Sequence, residues 1–242
     1  MIELDKFETW PNKIIDLIGK NSYTIKKEQD IEYEHRDLRW FPSIAPRTDC
    51  YNDTKSKIES IILNHQVKAY HCTKIQSWEE LRKNGLIILK HSTIKSIVTE
   101  AIKKVKCDPE FISQVSNAYD DFEKKGSYKY RENMIWFVLN NHLIYEDGCE
   151  DFFIYFGGEV TRRALYRLKL DVLRSIGIPT IVECILDVNK AEPFQVSNIA
   201  NEIIKYGISK FVLNTEYKLK CEMCIVENVP HNKIIDILER KF

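Results

Sequence analysis

The order of strand-like and helix-like segments constrains the fold of this chain more than any other feature of its sequence. Strand-like segments are short, apolar and bounded by turn residues. They lie at residues 67–73, 134–139, 151–156, 179–188 and 221–229, although a helix fits 134–139 nearly as well. A long, charged helical pattern covers residues 93–125. Because strands and helices do not alternate regularly, the sequence predicts an α+β fold rather than a doubly wound parallel sheet.

Further helices are predicted from apolar spacing and from capping residues. The clearest signal is Ser77, which we expect to cap a helix with Glu80 as its capping-box partner and with Gly85 at its C-terminal end. Other helices are predicted over residues 53–64, 159–175 and 195–206. A short helix or strand fits residues 233–238, and the two prolines within residues 40–47 predict irregular structure.

Composition bounds the class of protein. The 242 residues are enough for one domain with an additional segment, and 44% hydrophobic with 30% charged residues is ordinary for a globular chain. The 36 basic and 36 acidic residues balance, so no strong overall field steers the chain to nucleic acid or anionic lipid. The sequence has no apolar run of membrane-spanning length and no secretory signal, and its seven cysteines are scattered. We therefore expect a cytoplasmic protein with reduced thiols and no membrane contact.

Three segments carry residues suited to NAD+ chemistry. They are Tyr70-His71-Cys72-Thr73 before Gly85-Leu86, Tyr155-Phe156-Gly157-Gly158 with Tyr166 downstream, and Glu222-Met223-Cys224-Ile225-Val226. In this order they resemble the segments of the H-Y-E ADP-ribosyltransferases, the diphtheria-toxin-like and poly(ADP-ribose)-polymerase-like enzymes. The resemblance covers roughly residues 67–235 and implies a catalytic domain over 67–242, built on a split β-sheet core with flanking helices. Residues 1–66 would be a mainly helical or irregular N-terminal extension.

The resemblance also implies residues that bind NAD+, which would be a substrate. His71 would hydrogen-bond a ribose hydroxyl, with Thr73 assisting nearby. Cys72 stands where the family usually has a glycine whose backbone meets the nicotinamide carboxamide. Tyr155 and Tyr166 would stack on either side of the nicotinamide ring, since aromatic faces attract one another.

Glu222 is the residue to which the resemblance assigns catalysis. It would hydrogen-bond the 2′-hydroxyl of the nicotinamide ribose. Departure of nicotinamide leaves an oxocarbenium-like ribose, and a carboxylate nearby stabilises that charge mainly in the transition state. At about 4 Å and an effective dielectric constant of about 20, the attraction is about 4 kcal/mol, or roughly 10³ in rate. This chemistry requires no metal ion.

The implied activity is transfer of ADP-ribose from NAD+ to a macromolecule, RNA, DNA or protein, with release of nicotinamide. A compact enzyme of this kind resembles bacterial toxins and phage-defence effectors, and residues 1–66 could then bind an antitoxin-like protein. Lys220 stands where arginine-modifying relatives carry Glu or Gln, which argues against arginine as the acceptor.

Two alternatives stay open at this point. An RNA 2′-phosphotransferase would share the histidine strand but rely on arginines instead of Glu222. A catalytically inactive domain that binds a nucleotide or a partner is also compatible with Cys72 and with Arg163, which stands where polymerase-like relatives often have Ser.

Two further patterns have ordinary explanations. Arginines in residues 162–174 lie near one predicted helical face beside Lys169, and they would be solvated or would contact phosphate. Cys221 and Cys224 form a C-x-x-C pair, but zinc needs further ligands and no second such pair exists.

Overall fold

The computed structural model describes residues 1–36, 47–88, 90–126, 132–168 and 170–241 and shows an α+β fold, as the sequence predicts. Within these residues the helices are α1 Asn12–Arg36, α2 Asp49–Ile62, α3 Trp78–Asn84, α4 His91–Lys104, α5 Pro109–Lys124, α6 Asp147–Ile154, α7 Gly158–Ala164, α8 Asp171–Ser175 and α9 Pro193–Ile208. The strands are β1 Gln66–Ile75, β2 Ile135–Val138, β3 Ile178–Asp187, β4 Glu222–Ile225 and β5 Ile234–Glu239. No described helix is both long and apolar enough to span a bilayer.

The five described strands form one sheet in the order β4-β2-β1-β3-β5, whereas the resemblance implied a split sheet. β1 and β2 are antiparallel with Tyr70 opposite Val138. β3 and β5 are also antiparallel, and their register shifts between Glu183 and Cys184. Since neighbouring strands in this sheet are not consecutive in the chain, helices and loops connect them.

The chain divides into two compact units, and the division differs from the one expected at residue 66. Residues 1–68 and 186–223 form a helical unit, and residues 69–185 and 224–242 form a sheet unit. The segment 186–223 joins the N-terminal region because α9 packs against α1 and α2. The predicted N-terminal extension is therefore part of a larger helical unit.

Isoleucine side chains fill the core of the helical unit. Among the buried isoleucines are Ile14, Ile18, Ile25, Ile58, Ile62, Ile199 and Ile203. They recur four or seven residues apart within each helix, so one face of each helix is apolar. α9 approaches α1 closely at Gly207, where an added Cβ would collide with Ile18.

The sheet unit has two apolar clusters. One lies on the sheet and joins residues of β1, β2 and β3 to α6 and the residues before it: Tyr70, Cys72, Val138, Leu143, Ile144, Cys149, Phe153 and Ile181. The other lies among helices α4, α5, α7 and α8 and includes Val98, Ile102, Val115, Tyr119, Leu165 and Leu173. The sheet cluster determines which way the candidate site residues of β1 face.

The predicted strand over residues 151–156 is wrong, because this segment belongs to α6 and to the turn that follows it. A short apolar run does not by itself distinguish a strand from a buried helix. Here Cys149 and Phe153 stand four residues apart on one helical face and pack together in the sheet cluster. Gly157, with φ of 86°, then turns the chain from α6 into α7.

Two predicted helices are each divided in the structure. The helical pattern over 93–125 breaks between α4 and α5, where Lys106 has φ of 58° and the Asp108 carboxylate caps the next helix at Glu110. The pattern over 159–175 breaks between α7 and α8. In both cases the two pieces pack on the same apolar cluster, which one straight helix could not cover.

The remaining predicted elements are confirmed or fall outside the described residues. Strands form at β1, β2 and β3, helices form at α2 and α9, and residues 234–239 form a strand. Ser77 accepts a hydrogen bond from the Glu80 amide, and Gly85 ends α3 with φ of 72°. β4 is shorter than the predicted strand over 221–229. The irregular segment predicted at 40–47 lies almost wholly outside the described residues.

Candidate functional site

The side chains on the two faces of β1 differ in their accessibility to solvent. Side chains alternate along a strand, so Cys72 and Lys74 point to one face while His71 and Thr73 point to the other. Cys72 and Lys74 are buried, whereas His71 and Thr73 are partly accessible. The pairing of Tyr70 with Val138 places Phe137 opposite His71 on the same face.

His71 is held in one orientation by its neighbouring strand. Its Nδ1 donates a hydrogen bond to the Trp136 carbonyl oxygen at 2.9 Å, and its ring lies 5.6 Å from the Phe137 ring. Burial lowers the pKa of His71, and the Trp136 hydrogen bond opposes that shift. A neutral imidazole whose Nδ1 carries the proton leaves Nε2 as an acceptor. Such a nitrogen can receive a hydrogen bond from a ribose hydroxyl.

Cys72 departs from the family pattern without obstructing the His71 face. Its side chain is buried in the sheet cluster with Cys149 and Phe153. Contact with Cys149 and burial raise the pKa of the Cys72 thiol, so it stays protonated. The β1 backbone beside His71 is therefore not covered by the Cys72 side chain.

Lys74 is a buried residue that the sequence interpretation overlooked. Its ammonium group donates to the Arg174 carbonyl oxygen at 2.6 Å and to the Ile154 carbonyl oxygen at 3.3 Å. Ile154 is the last residue of α6, and Arg174 lies in the last turn of α8. A cation is favourable at both places because helix C-termini carry partial negative charge. The sequence signal was a lysine in register with the buried positions of an apolar strand.

Tyr155 immediately follows this anchored end of α6 and is half-buried against the helical cluster. Its hydroxyl accepts a hydrogen bond from the Arg174 guanidinium at 3.0 Å, and the same group lies 5.3 Å from the centre of its ring. The structure thus brings Tyr155 close to β1. It does so on the Cys72 and Lys74 side, the face opposite to His71.

Tyr166 is the most exposed of the predicted aromatic residues. It lies in the turn after α7, its side chain is 62% exposed, and the Arg167 guanidinium lies 5.1 Å from its ring centre. Tyr155 and Tyr166 each stack with an arginine, so the two rings are occupied by intramolecular partners.

Glu222 is exposed at the first position of β4, while the three residues after it are buried. β4 joins the sheet beside β2, which in turn pairs with β1. Glu222 is grouped with the helical unit, whereas His71, Cys72, Thr73, Tyr155 and Tyr166 belong to the sheet unit.

The predicted arginine face is divided by the break between α7 and α8. Arg162 binds the Asp151 carboxylate, Arg163 binds the Glu159 carboxylate, and Arg174 binds Tyr155. Lys169 lies outside the described residues. The two carboxylates neutralise the charges of Arg162 and Arg163, whereas Arg174 binds a neutral hydroxyl group.

Comparison with protein-family models, with curated proteins and with solved structures found no match to this chain. The site is therefore defined by its own geometry. In the sheet unit it shows an oriented imidazole, that of His71 on β1. In the helical unit it shows an exposed carboxylate, that of Glu222 at the start of β4.

Proposed function

We propose that this chain is a cytoplasmic NAD+-dependent ADP-ribosyltransferase, in which His71 binds the substrate and Glu222 is the catalytic residue. The observation that carries the proposal is the fixed imidazole of His71, whose Nδ1 is bound by the Trp136 carbonyl. This bond leaves Nε2 to accept from a ribose hydroxyl. Cys72 is buried on the other face of β1, so its side chain does not crowd His71.

Glu222 supplies the charge that the reaction needs. The exposed carboxylate would accept a hydrogen bond from the ribose 2′-hydroxyl and stabilise the cationic ribose as nicotinamide leaves. ADP-ribose then passes to a nucleophile on RNA, DNA or protein, as in a toxin or phage-defence effector. The proposal leaves out Tyr155 and Tyr166 as nicotinamide platforms beside His71, because α6 brings Tyr155 to the other face of β1.

The phosphotransferase alternative has less support. It needs arginines available for phosphate, and Arg162 and Arg163 are both bound to carboxylates. An inactive nucleotide-binding domain would bind NAD+ through His71 and release no nicotinamide.

Nicotinamide release tests the proposal directly. The full chain is incubated with NAD+, alone and with RNA, DNA or cell lysate, and nicotinamide is quantified by chromatography. Glu222→Gln should lower turnover by about 10²–10⁴ with NAD+ affinity largely retained. Glu216→Gln, at another exposed position of the same segment, is the matched control and should retain full turnover.

Radiolabelled NAD+ then identifies the acceptor class by where the label is found. NAD+ binding by calorimetry without nicotinamide release under any of these conditions would select the inactive domain instead. Turnover that survives Glu222→Gln would exclude the assigned catalytic role.

A further inference from the structure

A cluster of one imidazole and two carboxylates lies between α4 and α5, separate from the β1 site. His91 is the first residue of α4 and is only 4% exposed. Asp120 and Glu123 stand three residues apart on α5 and therefore share one face of that helix. One donor atom from each of the three residues lies within 4.8 Å of the other two.

We propose that His91, Asp120 and Glu123 form a binding site for a divalent transition-metal ion, with Zn²⁺ as the best-matched ion. Imidazole nitrogen and carboxylate oxygen are ordinary zinc ligands, and three protein ligands leave a fourth position for water. The His91 Nε2 already points to the Glu123 carboxylate, 3.3 Å from Oε2.

The carboxylates can move to the ion without repacking the core. Zinc ligands lie about 2.0–2.2 Å from the metal, so the donor atoms must draw closer together than they are now. The side chains of Asp120 and Glu123 are 45% and 59% exposed and can rotate. His91 is the fixed member, because its ring packs against the buried Tyr119 ring.

Lys95 is the group that a metal ion must displace. It lies one helical turn after His91 on α4, and its ammonium group binds the Asp120 carboxylate at 2.5 Å. A bound divalent cation would replace the ammonium group at Asp120. It has a higher charge than the ammonium group and would also be coordinated by His91 and Glu123. Competition from Lys95 therefore sets the affinity of the site.

A metal ion at this position would connect the start of α4 to the end of α5. Both helices cover the cluster that contains Val98, Ile102 and Val115. Binding to the folded chain alone raises the free energy of unfolding, by an amount that grows with the logarithm of the free ion concentration once it exceeds the dissociation constant. The inference concerns metal binding between these two helices and does not rest on the proposed transferase activity.

Zinc titration of the full chain tests the site. Free thiols also bind zinc, so the titration uses a Cys50→Ser, Cys107→Ser background, which removes the two thiols that are not buried. Calorimetry should show one tight equivalent of Zn²⁺, and thermal unfolding should move to higher temperature when ZnCl₂ is added. Lys95→Met should tighten binding about tenfold or more, because it removes the competing cation.

Ligand variants decide the outcome. His91→Gln and Asp120→Asn should each weaken zinc binding about a hundredfold, and Asp120 is exposed enough that its variant leaves the core intact. Glu100→Gln, which removes a carboxylate paired with Lys103 elsewhere on α4, should leave zinc affinity unchanged. The assignment is overturned if zinc fails to bind at about one equivalent, or if Asp120→Asn and Lys95→Met both leave the affinity unaltered.

Discussion

The ammonium group of Lys74 lies 2.6 Å from the backbone carbonyl oxygen of Arg174, a hundred residues further along the chain. A second bond joins the same ammonium group to the Ile154 carbonyl oxygen. One buried cation on β1 thereby holds the C-terminal ends of α6 and α8. Tyr155 follows directly after Ile154 and is bound by Arg174, so Lys74 acts as a positioning residue for this aromatic side chain.

We expect Lys74→Met to lower the free energy of unfolding by about 2 kcal/mol. The substitution keeps most of the side-chain volume but leaves helix-terminal carbonyl groups without their charged donor. Urea denaturation monitored by circular dichroism measures the change. Lys104→Met, at an exposed position of α4, is the control and should change stability by less than about 0.5 kcal/mol. Equal effects of the two substitutions would contradict the anchoring role.

His71 should make stability depend on pH. Burial lowers its pKa in the folded chain below the ordinary value of 6.5, so the unfolded chain binds more protons over the interval between the two values. Above pH 6.5 the imidazole is neutral in both states and does not change the free energy of unfolding. As the pH falls from 6.5 towards the folded pKa, His71 is protonated in the unfolded chain first, and the free energy of unfolding decreases. The decrease is at most about 1.4 kcal/mol for each pH unit.

Unfolding free energies measured from pH 7.5 to 5.5 test this sign. His71→Gln removes the titrating group, so the variant should lose less stability than the parent chain over that interval. Parallel pH profiles for the two proteins would show that the imidazole does not titrate abnormally in the folded state.

Gly85→Ala should destabilise the chain by more than about 2 kcal/mol. Gly85 has φ of 72°, and an added Cβ would overlap the Val229 carbonyl oxygen, where the backbone of residues 86 and 229 pairs. Gly148→Ala provides the contrast, since open space surrounds that position in α6. The control should be neutral or stabilising by up to about 1 kcal/mol. Similar unfolding midpoints for the two variants would refute the close approach.

Native thiol labelling should separate the seven cysteines into two classes. Cys50 and Cys107 are partly accessible and should react first with a disulfide reagent such as DTNB, while the five buried thiols should react only on unfolding. Burial raises the pKa of Cys184 to about 12, which suppresses its thiolate at neutral pH. Peptide mapping identifies the labelled sites. Fast labelling of Cys72 would mean that its side chain faces solvent, contrary to the packing described above.

Local patterns in the sequence were sufficient for much of the secondary structure. The Ser77 cap, the Gly85 terminus and the strand over 178–187 all follow from chemistry within a few neighbouring residues. The structure of residues 151–156 could not be predicted in this way, because their apolar side chains suit a strand and a buried helix equally. Packing of Cys149 and Phe153 on β1 decided in favour of the helix.

The candidate site shows the same division. Alternation along β1 was enough to put His71 and Cys72 on opposite faces, and the sequence contained that information. Only the tertiary structure revealed that Trp136 fixes the imidazole, that Lys74 anchors α6, and that α6 brings Tyr155 to the side of β1 away from His71. The physical reason is range: caps, turns and strand periodicity act between near neighbours, whereas these contacts join residues 65 or more positions apart.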